Sequence, residues 1–233
     1  MTNRSTQIHK EAASYIGKTL RDYFGKGPES VYISIGHSII SIYLRNFMAP
    51  MESSLMEQQE PTAVINARRI IMGRLVQEIK SYFKATTDIE IDEFYYDWDL
   101  YHQSGLLVGM AAKVSEPKEI EYYGSKAAIH DAMEWVARKK QYIQGKTESF
   151  LLNSRTLIIR YQNVFTDIEN ELIEMGYQDI LHQAKKSVCK QIIREFAHHF
   201  EGPLNGKLVD TFVDWDIEKD TRMIGLIIKP YQR

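Results

Sequence analysis

Two acidic triplets offer the clearest chemistry in this chain: Asp97-Trp98-Asp99 recurs as Asp214-Trp215-Asp216. Paired carboxylates flanking an aromatic ring are the residue types of an acid–base pair or a cation site. The simpler reading is structural. Each triplet ends a strand, where Asp satisfies turn backbone groups and Trp caps the core. The triplets contain no His or Cys, which makes them a weak metal signature. His198-His199 are adjacent, and neighbours on a helix point about 100° apart, so their rings do not converge on one ion. Gly25-Lys26-Gly27-Pro28-Glu29-Ser30 joins a helix to a strand, whereas a phosphate loop runs from strand into helix. Pro28 also lacks an amide donor, so this stretch reads as a helix cap followed by a turn. Arg68-Arg69 with Arg74, and Lys185-Lys186 with Lys190, read as solvated faces of two long helices, offset by Glu78 and Glu195. Cys189 stands among apolar neighbours and reads as an inert buried thiol. These residues predict no catalytic group, no metal and no cofactor, and nucleic acid is not an expected partner.

The elements that must position these residues come in two copies. Asp97 and Asp214 are 117 residues apart (214 − 97), and the same offset pairs Asn46 with Asn163, Glu52 with Glu169, Leu55 with Leu172, Glu78 with Glu195 and Phe83 with Phe200. At Gly109/Gly225 the offset reads 116, and at Glu29-Ser30/Glu148-Ser149 it reads 119. A constant core offset with small slips at loops marks a tandem duplication. Each copy reads as α-β-β-α-α-β-β, two hairpins joined by a helical crossover. The predicted fold is α+β, with two tandem lobes, each an antiparallel sheet with helices on one face. The expected boundaries are 1–114 for the first repeat, 115–124 for a linker and 125–233 for a divergent second repeat. In copy one the helices run from Ile8 to Phe24, from Pro50 to about Met56, and from Pro61 through Phe83. In copy two they run from about Ser125 to Ile143, from Thr166 (a capping box with Glu169) to near Gly176, and onward to Gly202-Pro203. The periodicity places Leu75, Ile79, Val188 and Ile192 in the two cores. It turns Trp98 and Trp215 toward the helices and their flanking carboxylates toward the turn or solvent.

Composition narrows the class. The 233 residues carry 29 basic and 31 acidic side chains, a net charge of −2, which gives no global attraction to nucleic acid or an anionic membrane. A single cysteine excludes an internal disulfide and fits a reducing compartment. The first residues lack a signal-peptide apolar stretch, and no segment approaches the roughly 20 apolar residues of a membrane span. The expected location is the cytoplasm, with any membrane contact made through a partner.

The Gly25–Tyr32 segment, the Leu44-Arg45-Asn46-Phe47 strand exit, the Pro50-Met51-Glu52 helix start and the hairpin after Asp88 resemble the MpsC-type domain of Bacillus-like bacteria. Copy one resembles it over about Ile8 to Val114, and copy two over about Ser125 to Lys229. The family is named for a sodium-translocating, membrane-potential-generating system. The resemblance implies a non-enzymatic accessory or regulatory protein of a membrane ion-transport protein, without direct membrane insertion. The binding candidates are Arg45, Asn46, Asp97, Trp98, Asp99, Asn163, Asp214, Trp215 and Asp216. The alternative is an enzyme acting on a small molecule between the lobes, with Asp97, Asp99, Asp214 and Asp216 as its acids.

Overall fold

The computed structural model describes residues 2–112, 125–140 and 145–231. The expected linker, 115–124, and the expected helix end at 141–143 lie outside the described residues. The chain divides into two compact units, Met1–Ser115 and Glu116–Arg233.

In the first unit, helix α1 (Thr2–Phe24) leads into strands β1 (Ser30–Gly36) and β2 (Ile39–Arg45). Helices α2 (Pro50–Glu57) and α3 (Pro61–Thr87) cross over to strands β3 (Ile91–Asp99) and β4 (Ser104–Ala111). Gly25, at φ 75°, stops α1, as a left-handed C-terminal residue does. Pro50 and Pro61 open α2 and α3, where a missing amide costs nothing. The strands form one antiparallel sheet of order β1-β2-β4-β3, so the two hairpins meet along β2 and β4. Ile16 and Leu20 of α1 and Met72, Leu75, Ile79 and Phe83 of α3 pack with Ile40, Ile42, Leu44, Trp98 and Leu107 of the sheet.

The second unit repeats this plan. Helix α4 (Lys126–Lys140) precedes strands β5 (Lys146–Asn153) and β6 (Thr156–Gln162). Helices α5 (Asp167–Glu174), α6 (Gln178–Glu195) and α7 (His198–Leu204) then lead to strands β7 (Gly206–Asp216) and β8 (Thr221–Pro230). The sheet order is β5-β6-β8-β7, matching the first unit strand for strand. The Thr166 hydroxyl accepts from the Glu169 amide, and Glu169 Oε2 accepts from the Thr166 amide at 2.9 Å, which completes the expected capping box.

Several sequence readings are corrected. The second long helix does not run to Gly202-Pro203. It ends at Glu195, and His198-His199 and Pro203 belong to α7. Val188 is 46% exposed, and Cys189 with Ile192 and Ile193 fills the core instead. On α3 the helical spacing from Met72 admits either Ile65 or Val64, and the structure buries Val64 and leaves Ile65 exposed. The slip at the glycines is not structural, and the slip at the first hairpin is one residue shorter than the core offset rather than two longer. Trp98 faces Gly105 and Trp215 faces Arg222, and along the same ladders Gly109 faces Phe94 while Gly225 faces Phe212, so the 117 offset runs unbroken through β4 and β8. Arg45 faces Ser30 and its counterpart Gln162 faces Lys146, so Ser30 corresponds to Lys146 at an offset of 116 (146 − 30), not to Ser149.

The duplication is deepest in the backbone. Four left-handed residues of the first unit recur 117 positions on: Asn46 (φ 49°) with Asn163 (59°), Gln59 (59°) with Gly176 (84°), Asp88 (58°) with Asn205 (48°), and Gln103 (50°) with Asp220 (47°). The residue types include Asn, Asp and Gly, which visit this region at least cost. Bulges recur as well, between Ile91 and Glu93 and between Leu208 and Asp210.

Candidate functional site

Each lobe holds a buried cation between a helix-start carboxylate and a tryptophan. In the first lobe Arg68 projects from α3. Its Nε donates to Glu52 Oε1 at 2.7 Å and its Nη2 to Glu52 Oε2 at 2.7 Å, a bidentate pair. Nη2 also donates to the Phe47 carbonyl at 2.9 Å. The guanidinium lies 4.5 Å from the Trp98 ring centre, 4.9 Å from Phe47 and 5.9 Å from Phe24. Glu52 Oε2 additionally accepts the Ala49 amide at 2.8 Å, so one carboxylate starts α2 and neutralises α3. Arg68 is 1% exposed and Glu52 3%. This pair is sealed and reads as structure, since it cannot reach a ligand without opening the lobe.

The second lobe places Lys185 of α6 at the position of Arg68 (68 + 117) and Glu169 of α5 at that of Glu52 (52 + 117). Lys185 Nζ lies 2.8 Å from Glu169 Oε1, 4.4 Å from the Phe165 ring and 5.5 Å from the Trp215 ring. Burial pulls the Lys185 ammonium below the ordinary lysine value. The hydrogen bond and charge of Glu169 oppose that shift, the nearby Arg222 charge adds to it, and Asp220 opposes it again. Glu169 is partly open to water, with its side chain 21% exposed. Arg222 of β8 supplies a second cation, its guanidinium 4.2 Å from Tyr161 and 5.9 Å from Trp215. The expectation that Arg68 and Lys185 lie on solvated helix faces is therefore wrong, although Arg69, next to Arg68, is exposed.

The acidic triplets divide their labour. Trp98 and Trp215 enter the helix-side cores, as their alternation requires. Asp97, Asp99 and Asp214 are buried rather than solvent-facing, and Asp216 is half-buried. Asp99 Oδ1 accepts the Tyr101 and His102 amides at 3.1 and 3.0 Å, and Oδ2 lies 3.0 Å from His102 Nδ1. Asp216 Oδ1 accepts the Lys219 amide at 3.1 Å. These two residues hold their turns. Asp214 Oδ1 lies 2.9 Å from Lys186 Nζ and 2.9 Å from His182 Nε2, the latter without hydrogen-bond alignment. Asp214 thus ties β7 to α6 through charge.

Asn46 and Asn163 follow β2 and β6 as left-handed turn residues. Asn46 Nδ2 bonds the Glu29 carboxylate. The carbonyls of Gln103 and Asp220, themselves left-handed, accept amides from Phe47 at 2.8 Å and Asn163 at 2.9 Å. Asp220 Oδ1 also accepts the Val164 and Phe165 amides. Arg45 is exposed at the end of β2. Of the nine predicted binding residues, Trp98 and Trp215 touch the buried cations, and Asn46 and Asn163 shape the turns leading to them. The sequence reading missed Arg68 and Lys185 as buried charges, and His102 as the partner of Asp99. The signal for Arg68 and Lys185 was present, because both lie at the 117 offset and at helical spacing from core residues.

These features define a tandem α+β protein with a buried cation–carboxylate–tryptophan cluster in each half. The model of the MpsC family, described as "Na+-translocating membrane potential-generating system (MpsC)", matches residues 4–112 and again 129–229, and the chain belongs to that family. No curated protein and no solved structure matches it. Among the described residues, no helix is long and apolar enough to cross a membrane.

Proposed function

We propose that this protein is a non-enzymatic, cytoplasmic accessory subunit that binds and regulates an integral membrane protein of a Na+-translocating system. The carrying observation is the family match over both halves of the chain. The lack of any spanning helix among the described residues supports action through a membrane-embedded partner. Asp99 and Asp216 commit oxygens to turn amides, which favours a structural role over proton transfer at those residues. The partly exposed charged side chains of the second lobe, Glu169, His182 and Lys186, offer polar contacts at an interface rim.

The test is affinity capture of the tagged chain from detergent extracts of native-host membranes, beside a dye measurement of Na+-dependent membrane potential in a deletion strain. The expected result is stoichiometric enrichment of an integral cation-transport protein and a changed potential. Recovery of the chain without any membrane protein, with an unchanged potential after deletion, would overturn the proposal.

A further inference from the structure

Helix α5 reads Asp-Ile-Glu-Asn-Glu-Leu-Ile-Glu and contains no buried residue. Helical spacing sorts its side chains into two adjoining rows. Ile168, Leu172 and Met175, at i, i+4 and i+7, form an apolar row. Ile168 is 75% exposed and Met175 59%, with Leu172 half-buried between them. Asp167, Glu171 and Glu174, one residue earlier at each step, form an acidic row beside it, and all three are exposed. None of these three carboxylates has an ion pair or a side-chain hydrogen bond among the described residues. Glu169 lies on the other flank and is taken by Lys185. Exposed Tyr177 follows in the turn after α5, and exposed Ile180 in the first turn of α6.

The first lobe shows that the fold does not require this face. At the 117 offset Asp167, Glu171 and Glu174 correspond to Pro50, Ser54 and Glu57, while Met175 and Ile180 correspond to Gln58 and Ala63. Glu52 and Glu169 both accept the amide at the start of their helix, so the two copies share that capping contact and differ on the outward side. Between Arg160 and Lys185 the chain carries five carboxylates, Asp167, Glu169, Glu171, Glu174 and Asp179, and no lysine or arginine. An exposed apolar row bordered by charge of one sign marks an interaction face for a segment of the opposite charge.

We infer that this face of α5 docks a basic amphipathic helix, the cytoplasmic segment flanking a membrane span of the integral membrane partner. Its apolar row would lie on Ile168 and Met175, and its lysines or arginines on Asp167, Glu171 and Glu174. The source of that helix rests on the accessory-subunit role proposed above. Cytoplasmic flanks of membrane spans are enriched in lysine and arginine, and amphipathic helices dock through anchors at this spacing. The eight residues of α5 extend about 12 Å, which matches about two turns of such a helix. Charge separates this occupant from the others. A second copy meeting the face through its own α5 would set carboxylates against carboxylates, and an anionic bilayer surface would repel the same row.

The test uses the full chain and a fluorescein-labelled eighteen-residue peptide of leucine and lysine at helical spacing, beside its twin with glutamate for lysine. Fluorescence polarisation should show the lysine peptide binding about tenfold more tightly. Glu171→Lys with Glu174→Lys should abolish that preference, whereas Glu57→Lys with Glu60→Lys, the same charge change on the first lobe, should leave it unchanged. Hydrogen exchange at saturating lysine peptide should add protection at Asp167–Met175. Equal binding of the twins, no binding, protection confined to another element, or the same loss from the first-lobe pair would each overturn the inference. In the capture from native-host membranes, the Glu171→Lys, Glu174→Lys chain should lose the membrane protein that the wild-type chain retains. Equal retention by both would overturn the inference and leave the accessory role standing, while retention by neither would overturn both. A wild-type self-dimer, or binding to vesicles of phosphatidylcholine and phosphatidylglycerol, that the same variant loses would assign the face to a second copy or to lipid and overturn the inference.

Discussion

The first lobe draws its large cation from a helix, whereas the second draws a comparable cation from the sheet. Arg68 reaches down from α3 onto Trp98, and the residue facing Trp98 across the ladder is Gly105. A Cβ on Gly105 would lie 2.3 Å from a Trp98 ring carbon, so the indole occupies the space that a side chain would take. In the second lobe the helix residue is the slimmer Lys185, and the residue facing Trp215 is Arg222. The guanidinium has in effect changed sides of the tryptophan. The aromatic bed of the helix cation has shifted by one residue, since Phe47 and Met48 of the first lobe stand where Val164 and Phe165 stand in the second, and Arg222 lies over Tyr161 instead. What the two lobes retain is a cation, a helix-start carboxylate and a tryptophan. The lesson is that charge balance in the core constrains the sequence more tightly than the identity of the cation. A buried charge is tolerated only with its partner, while which residue bears it can drift.

That comparison can be broken experimentally, beginning with the cation itself. Arg68→Ala leaves Glu52 charged in a sealed site and should cost about 3–5 kcal/mol in denaturant melts. Lys185→Ala should cost less, about 1–3 kcal/mol, because Glu169 keeps water and its Thr166 amide. Equal costs would show that the two sites are energetically alike despite their different exposure. The space beneath the tryptophan gives a smaller effect. Gly105→Ala should destabilise the first lobe by about 1–3 kcal/mol through overpacking against Trp98. A neutral result would show that Trp98 swings aside as freely as Trp215 accommodates Arg222.

The smallest expected effect is a pH dependence confined to the second lobe. His130 on α4 contacts the Ser149 hydroxyl at 2.6 Å, and burial first, then the Lys126 charge, lowers its proton affinity below the ordinary 6.5, with Asp131 opposing. Between the lowered folded value and 6.5 the unfolded chain holds the extra proton, so stability rises with pH across that window. Acidification below about 6.5 should therefore weaken the wild-type chain relative to His130→Gln. Parallel pH profiles of the two proteins would remove this effect from the account.

Much of the architecture was legible in the sequence because secondary-structure periods and a constant 117-residue offset are both carried by single residues. The offset named Glu52/Glu169 as a pair, and Thr166 with Glu169 announced its own cap. The failures have physical causes. Ile65 and Val64 both lie at plausible helical spacing from Met72, and only packing shows that the Val64–Arg68–Met72 row is the buried one. Arg68 on that row reads as solvated because a charge is seldom buried, and its partner lies 16 positions away in another helix. Val188 was misplaced because successive steps of four residues drift about 40° each around a helix, carrying the run off the core face. The apparent repeat of Glu-Ser before the first hairpin is a coincidence of composition that strand register alone exposes. The burial of Asp97 and Asp214 was hidden for a similar reason, since alternation assigns a side but not what covers it.

The sheet order also sets a timetable for folding. Each hairpin closes through a short turn, but the seam between β2 and β4 forms only after the span from Pro50 to Thr87 has been drawn around. The β6–β8 seam waits in the same way on Asp167 to Leu204. Loop closure of that length must precede any reward from the seam, so seam formation is the slow event in both halves. During that wait the chain carries two incomplete copies of one topology, and a hairpin from either half can seek the wrong seam. The exchange of guanidinium between helix and strand makes such a mispaired seam pay in unmatched charge, so the divergence of the two lobes discriminates between correct and swapped assembly.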